Sequence, residues 1–288
     1  MTSLLLVSLI WAFSFGLIKG QLVGLDPILV AATRLLLAWL VFLPFTRLKH
    51  CRLTTMVALL VIGAIQYGVM YMTYTASFHY LKAYQVALFT IFTPVYVTLV
   101  NDLFSLKFHR RFMYAALLAV LGTSVILYRD LHHDEFRTGF LLIQAANLSF
   151  AFGQVAYKKV MKGLSTTDLN VFSLLYLGAV ISTIPVIASS GSLTIPTLSM
   201  NQILSLLYLG ILASGICFFL WNYGARRVDT GTLAVCNNLK IPLAIACSAL
   251  VFHEQIDWPQ LLAGSTILLI ALVINRHWSR WSRSKHIK

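Results

Sequence analysis

The stretch TLAVCNNLKIPLAIACSALVF, residues 232–252, decides what kind of protein this chain is. It is almost wholly apolar, and about 20 apolar residues in a helix are enough to cross the hydrocarbon core of a bilayer. Lys240 nevertheless stands near its centre, where a charge costs about 2.5–3.5 kcal/mol to insert. The stretch therefore predicts a membrane-spanning helix whose lysine faces something other than lipid.

The composition of the whole chain supports the same interpretation. The 288 residues are 59% hydrophobic and only 11% charged, whereas soluble proteins carry about 25% charged residues. Ten segments are apolar and long enough to span a bilayer: 2–18, 28–45, 54–73, 84–104, 113–128, 139–157, 169–188, 202–222, 232–252 and 258–275. We therefore predict an all-α membrane protein with ten transmembrane helices. The first segment lacks the basic start and cleavage site of a signal peptide, so we interpret it as a retained helix.

The distribution of basic residues predicts the orientation. With the N-terminus placed in the cytoplasm, the inner loops and tail hold sixteen of the 22 lysines and arginines, and the outer loops hold four. Cytoplasmic loops carry such an excess of positive charge in membrane proteins. Both termini are therefore expected in the cytoplasm, in a bacterial inner membrane. The basic tail is interpreted as an anchor on anionic lipid, so the net charge of +13 does not indicate nucleic-acid binding.

Two halves of the chain repeat short patterns. AFSFG at 12–16 in the first span corresponds to SFAFG at 149–153 in the sixth. Pro94 in the fourth span and Pro242 in the ninth are each preceded by small residues at the same two offsets. Since five spans is an odd number, the second half must enter the membrane in the opposite orientation.

The predicted organisation is two inverted five-helix repeats, a device typical of secondary transporters that bind substrate near the bilayer midplane. Its parts are a first repeat at 1–128, a connecting loop at 129–138, a second repeat at 139–275 and a cytoplasmic tail at 276–288.

These patterns resemble the ten-helix EamA-type members of the drug/metabolite transporter superfamily. The family pattern of small residues, a proline, a glutamate and a glycine is matched by Ala225, Gly231, Ala234, Pro242, Glu254 and Gly264. In the first repeat, Leu106 stands at the position that matches Glu254. The resemblance covers nearly the whole chain and implies a central cavity between two inverted repeats. Similar members move amino acids and related metabolites, often outward, and others move sugars, nucleotide sugars or phosphorylated metabolites.

The first candidate site is the polar face of the ninth span. Asn237 and Lys240 are three residues apart and share a helical face, and Pro242 frees a backbone carbonyl nearby. We predict that Lys240 binds a carboxylate or phosphate of the substrate with Asn237 beside it. The alternative is a buried ion pair with Asp102 or Glu254, an arrangement that contributes little stability.

Polar or aromatic stripes on two further spans, together with Trp11 on the first span, are candidate substrate contacts. Gln144 and Asn147 lie on one face of the sixth span, where amides either line a cavity or join helices. Tyr67, Tyr71 and Tyr74 share a face of the third span, for which aromatic packing is the common alternative. The predicted substrate-binding set is Lys240, Asn237, Asn147, Gln144, Tyr71, Tyr67, Tyr74 and Trp11.

Four more residues have weaker predicted roles. Glu254 and Arg34 are candidates for gating or coupling, and Pro94 and Pro242 are candidates for breaking helices at the cavity. For Arg34 the favoured interpretation is structural: its side chain extends to the outer surface or pairs with Asp26.

The sequence as a whole predicts a secondary transporter of a small polar metabolite, foremost an amino acid or related carboxylate, working by export or exchange. The alternative is a carrier for a larger anionic metabolite, nucleotide-like or phosphorylated. A membrane-embedded enzyme is a remote alternative, because no span contains a histidine or two acidic residues at helical spacing. No P-loop and no metal-binding spacing occurs, so no cofactor is expected. Protons are a candidate coupling ion, and a monomer or weak dimer is expected.

Overall fold

The computed structural model describes residues 2–49, 51–106, 134–162, 164, 166–189 and 197–227, together with isolated positions between 244 and 270. Within these residues the chain forms seven helical segments and no strand. They are α1 (Thr2–Leu17, continued by a π-helical turn, Ile18–Leu22), α2 (Pro27–Phe45), α3 (Leu53–Tyr80), α4 (Ala83–Phe89 and Thr93–Ser105, joined by a 3-10 turn, Thr90–Phe92), α5 (Asp134–Val160), α6 (Asp168–Ser189) and α7 (Met200–Ala225).

Six of these segments, α2 to α7, are long and apolar enough to cross a membrane, and α1 contains a shorter apolar helix, Leu6–Leu22. Each coincides with one predicted span, which confirms an all-helical membrane protein. The predicted spans at 113–128, 232–252 and 258–275 lie wholly or mostly outside the described residues. The count of ten helices and the inverted relation of the halves therefore stay predictions.

Two helices contain π-helical interruptions that change which side chains share a face. In α3 the interruption is Ala64–Val69, and in α7 it is Tyr208–Ile216. Each π turn inserts a residue into the 3.6-residue repeat, a feature that is frequent at functional sites. Both interruptions lie beside the polar clusters described below.

The helices α3 and α6 pack closely because each presents a glycine to the backbone of the other. A Cβ on Gly63 would overlap the carbonyl oxygen of Leu175, and a Cβ on Gly178 would overlap that of Leu60. Small residues at such crossings let helix backbones approach within a membrane, where no hydrophobic force drives association.

The ends of α5, α6 and α7 are joined by a polar cluster centred on Asp168. Its carboxylate accepts a hydrogen bond from the Tyr157 hydroxyl at 2.6 Å and pairs with the Arg226 guanidinium at 2.5 Å. Arg226 also donates to the carbonyl of Met161 at 3.5 Å. The side chain of Asp168 is 10% exposed and that of Arg226 is 27% exposed, so the pair is only partly screened by solvent.

Asp168→Asn is expected to destabilise the protein by about 1–2 kcal/mol, because the charge that pairs with Arg226 is lost while an acceptor for Tyr157 remains. Thermal unfolding of the purified protein in detergent measures the effect. Asp26→Asn is the matched control: Asp26 accepts from the amides of Ile28 and Leu29 as the N-cap of α2, and asparagine caps equally well. Equal unfolding temperatures for the two variants would contradict the expectation.

Candidate functional site

A cavity lies among α1, α2, α3, α4, α5 and α7. The empty space between its lining atoms is about 560 Å³, part of it open to solvent. Its described lining residues are mostly aromatic or aliphatic, with a few polar groups: Trp11, Ser14, Phe15, Arg34, Met70, Tyr71, Tyr74, Thr90, Thr93, Ile143, Ala146, Asn147, Phe150 and Phe218.

Aromatic rings form a continuous wall of this cavity. The Trp11 ring lies 4.7 Å from that of Phe218 and 6.3 Å from that of Phe150, measured between centroids. Its indole Nε1 donates a hydrogen bond to the carbonyl of Ala213 at 3.0 Å, which fixes the ring relative to α7. The tryptophan of α1 therefore connects the rings of α5 and α7.

Among the described lining residues, Arg34 on α2 carries the positive charge. Its Nε donates to the Ser214 hydroxyl at 3.2 Å and its Nη2 to the Tyr71 hydroxyl at 3.1 Å, and these two hydroxyls are 2.7 Å apart. The guanidinium carbon lies 4.4 Å from the centre of the Tyr71 ring, a cation–π distance. Arg34 is 3% exposed, and its Nη1 has no hydrogen-bond partner in the described part of the chain.

The carboxamide of Asn147 on α5 binds the interruption in α4. Its Nδ2 donates a hydrogen bond at 2.9 Å to the carbonyl of Phe89, the last residue before the 3-10 turn of α4. The same nitrogen lies 3.3 Å from Gln144 Oε1. Asn147 Oδ1 accepts from the Thr93 hydroxyl at 3.2 Å and keeps a second lone pair.

Five of the predicted site residues meet at this cavity: Trp11, Arg34, Tyr71, Tyr74 and Asn147. Gln144 contacts Asn147 and does not itself line the cavity. Pro94 is the second residue of the second part of α4, just after the 3-10 turn. The remaining predicted residues, Lys240, Asn237, Pro242 and Glu254, lie outside the described residues.

Tyr67 does not line the cavity, although it stands four residues before Tyr71. It lies within the π turn of α3, its ring stacks on that of Tyr176 at 5.0 Å, and its hydroxyl accepts from Asn222 Nδ2 at 2.6 Å. The extra residue of the π turn takes Tyr67 off the stripe that Tyr71 and Tyr74 follow.

The predicted position and partner of the Arg34 side chain are wrong. The side chain is buried instead of extending to the surface, and Asp26 caps α2 instead of pairing with it. The reason is the pair of hydroxyls on Tyr71 and Ser214, which bind the guanidinium within the bundle. Ser214 and the threonines of α4 were not predicted as site residues, since single small polar residues in apolar spans carry no distinguishing pattern.

A bundle of apolar helices around an amphipathic cavity defines a membrane carrier of small molecules. The EamA-like transporter family model matches residues 1–128 and 137–276. The chain therefore belongs to the EamA-like transporter family and is an integral membrane transporter of small molecules, not an enzyme.

Relatives extend over almost the whole chain. The biotin transporter of Salmonella typhimurium is 37% identical over 96% of this chain and 93% of its own length. The probable biotin transporter of Pseudomonas aeruginosa is 38% identical over 96% of this chain and 97% of its own. The probable amino-acid metabolite efflux pump of Escherichia coli is 27% identical over 97% of this chain and 95% of its own.

The fold is also found among solved structures, and one crystal structure illustrates the similarity. It superposes with a TM-score of 0.67, covering 97% of this chain and 98% of its own, at 17% sequence identity.

Proposed function

We propose that the protein carries biotin, or a closely similar amphipathic monocarboxylate, across the bacterial inner membrane by alternating access. The observation that carries this proposal is the cavity itself, whose described lining combines aromatic walls with the permanent cation of Arg34. The two relatives named as biotin or probable biotin transporters support it, because their similarity covers nearly the whole chain.

The chemistry of biotin suits the described lining. Its sulfur-containing ring and aliphatic chain are apolar and fit against Trp11, Phe150 and Phe218. Its ureido N–H groups need acceptors, and Asn147 Oδ1 has a lone pair that Thr93 does not use. Its carboxylate needs a positive charge, which Arg34 supplies.

An amino acid, the first prediction from the sequence, suits the same lining less well. A zwitterion brings an ammonium group that needs an acidic or multiply accepting partner in a buried site. None of the described lining residues is acidic. The relative named as an amino-acid metabolite efflux pump is also less similar, at 27% identity.

The other predictions from the sequence complete the proposed carrier. Ten helices in two inverted repeats would place the cavity between the halves, and rocking of the halves would expose it to each side in turn. Both termini lie in the cytoplasm in this scheme, and the protein works as a monomer or weak dimer. Lys240 and Asn237 are proposed as a second anion-binding pair, with Glu254 and protons as candidates for coupling.

Counterflow in proteoliposomes tests the proposal. Vesicles that contain the protein and a high internal concentration of unlabelled biotin are expected to accumulate external labelled biotin. Excess external biotin should abolish the signal, and leucine or cysteine should not. Counterflow of an amino acid without counterflow of biotin would contradict the proposal and favour the sequence-based prediction.

Trp11→Leu is expected to lower biotin counterflow about tenfold or more, because the substitution removes the ring that joins the aromatic wall. The matched control is Trp258→Leu, since Trp258 is 52% exposed and does not line the cavity. Both variants are first shown to be monodisperse in detergent. Equal counterflow by the two variants would show that the aromatic wall does not contact the substrate.

A further inference from the structure

Arg34 carries a buried charge that the described protein only partly satisfies. A guanidinium has five N–H donors in a planar fork. Ser214 and Tyr71 accept from Nε and Nη2, whereas Nη1 is buried without an acceptor in the described residues. No carboxylate of the described chain lies within ion-pair distance of this side chain. A buried charge of this kind normally has an anionic partner.

The hydroxyls that hold Arg34 are themselves fixed from a fourth helix. The Tyr176 hydroxyl on α6 donates to the carbonyl of Ser214 at 2.5 Å and lies 3.3 Å from that of Gly215, within the π-helical part of α7. The Ser214 hydroxyl in turn bonds to Tyr71 on α3 at 2.7 Å. The guanidinium is therefore held from one side by a buried chain of hydrogen bonds, and its free Nη1 has a fixed position.

We propose that Nη1 of Arg34, with the adjacent edge of Nη2, binds the carboxylate of the substrate, and that Tyr71 and Ser214 are positioning residues that hold the guanidinium for it. The inference rests on the proposed function in that it addresses the same cavity. A carboxylate matches two parallel N–H groups of arginine and completes the buried charge. The protein thereby selects substrates by a single negative charge at one end of the molecule.

Binding of biotin and biotinamide to the purified protein at pH 7 tests this inference, because the two compounds differ only in the charged group. Wild type is expected to bind biotin about 10- to 100-fold more tightly than biotinamide, the range for hydrogen bonds to charged groups. In Arg34→Gln this preference should disappear through loss of biotin affinity, with biotinamide affinity nearly unchanged. Arg34→Lys should retain part of the preference, since it keeps the charge without the fork.

Three results would overturn the inference. They are a wild type that does not distinguish the two compounds, an Arg34→Gln variant that keeps the preference, and an Arg34→Gln variant that is folded and loses both compounds equally. If Arg34→Gln does not fold, Tyr71→Phe decides instead. This variant keeps the ring and the cation, and it should reduce the preference for biotin about tenfold. If folded Tyr71→Phe prefers biotin over biotinamide as strongly as wild type, Tyr71 is not a positioning residue. If Arg34→Lys also keeps the full preference, Arg34 is not the carboxylate-binding site.

The experiment separates this inference from the proposed function. If wild type binds neither biotin nor biotinamide, biotin transport is wrong, and Arg34 is then tested with aryl and alkyl carboxylates and their matching amides. Thermal stabilisation of wild type by carboxylates alone, lost in Arg34→Gln, would support the anion site without biotin. The proposed carboxylate site would be overturned if no carboxylate stabilises wild type, or if carboxylates stabilise wild type and Arg34→Gln equally.

Discussion

Gly178→Ala is expected to destabilise the protein by about 3 kcal/mol or more, the upper part of the range for overpacked interiors. A methyl group at this position would overlap the carbonyl oxygen of Leu60, and a backbone atom cannot move aside as the end of a side chain can. The helices α3 and α6 would therefore have to separate along their crossing. Thermal unfolding in detergent, together with the fraction of monodisperse protein, measures the effect.

Gly24→Ala provides the matched control, because a Cβ at Gly24 meets no atom within 4 Å. The reciprocal variant Gly63→Ala should be as harmful as Gly178→Ala, since its methyl group would overlap the carbonyl of Leu175. The double variant should lose less stability than the sum of the two single losses, because either methyl group already forces the same two helices apart. Full additivity, or a Gly178→Ala protein as stable as Gly24→Ala, would show that the helices do not meet through these glycines.

Asn147→Leu is expected to lower stability by about 2–3 kcal/mol and biotin counterflow at least about tenfold. Leucine has a similar size, but it removes the side-chain donor to the Phe89 carbonyl and the acceptor of the Thr93 hydroxyl. Thr90 in the 3-10 turn of α4 and Thr93 directly after it both line the cavity. Displacement of this turn should therefore also disturb the site. Unfolding and counterflow are measured on the same preparations.

The exposed Asn201 at the start of α7 supplies the control Asn201→Leu, which should change neither quantity appreciably. Asn147→Asp tests the lost donor alone, because it keeps the size of the side chain and the acceptor for Thr93 but replaces the amide nitrogen by an oxygen that faces the Phe89 carbonyl. It should therefore be about as harmful as Asn147→Leu. A stable and active Asn147→Asp protein would mean that the bond to Phe89 contributes nothing to the interruption of α4.

The spans themselves could be predicted because membrane insertion is a local property. About 20 consecutive apolar residues satisfy the bilayer whatever their neighbours are. All the predicted spans that fall on continuously described residues are helices, and α3 continues beyond its predicted end at residue 73 to Tyr80. Part of this less apolar extension, including Thr75, Ser77 and Phe78, is buried within the bundle, whereas its last two residues, His79 and Tyr80, are exposed.

The candidate site was predicted in part. Helical spacing correctly placed Tyr71 and Tyr74 on one face, and the amide of Asn147 lies at the same cavity. The same spacing failed for Tyr67, because the π turn of α3 breaks the 3.6-residue repeat between it and Tyr71. No residue pattern in the stretch 64–69 marks that turn, so a helical projection of the sequence cannot include it.

By itself the sequence determined that this is a helical membrane protein and, through its patterns of small residues and prolines, that it resembles the EamA-type carriers. Tertiary structure alone decided that Arg34 is a buried cation in a cavity. Its partners Tyr71 and Ser214 lie 37 and 180 positions away, on two other helices. Apolar length and charge bias are properties of single segments, whereas the partner of a polar side chain depends on how helices approach and rotate. Glycine contacts and π turns set that approach, and they act only once the helices have packed.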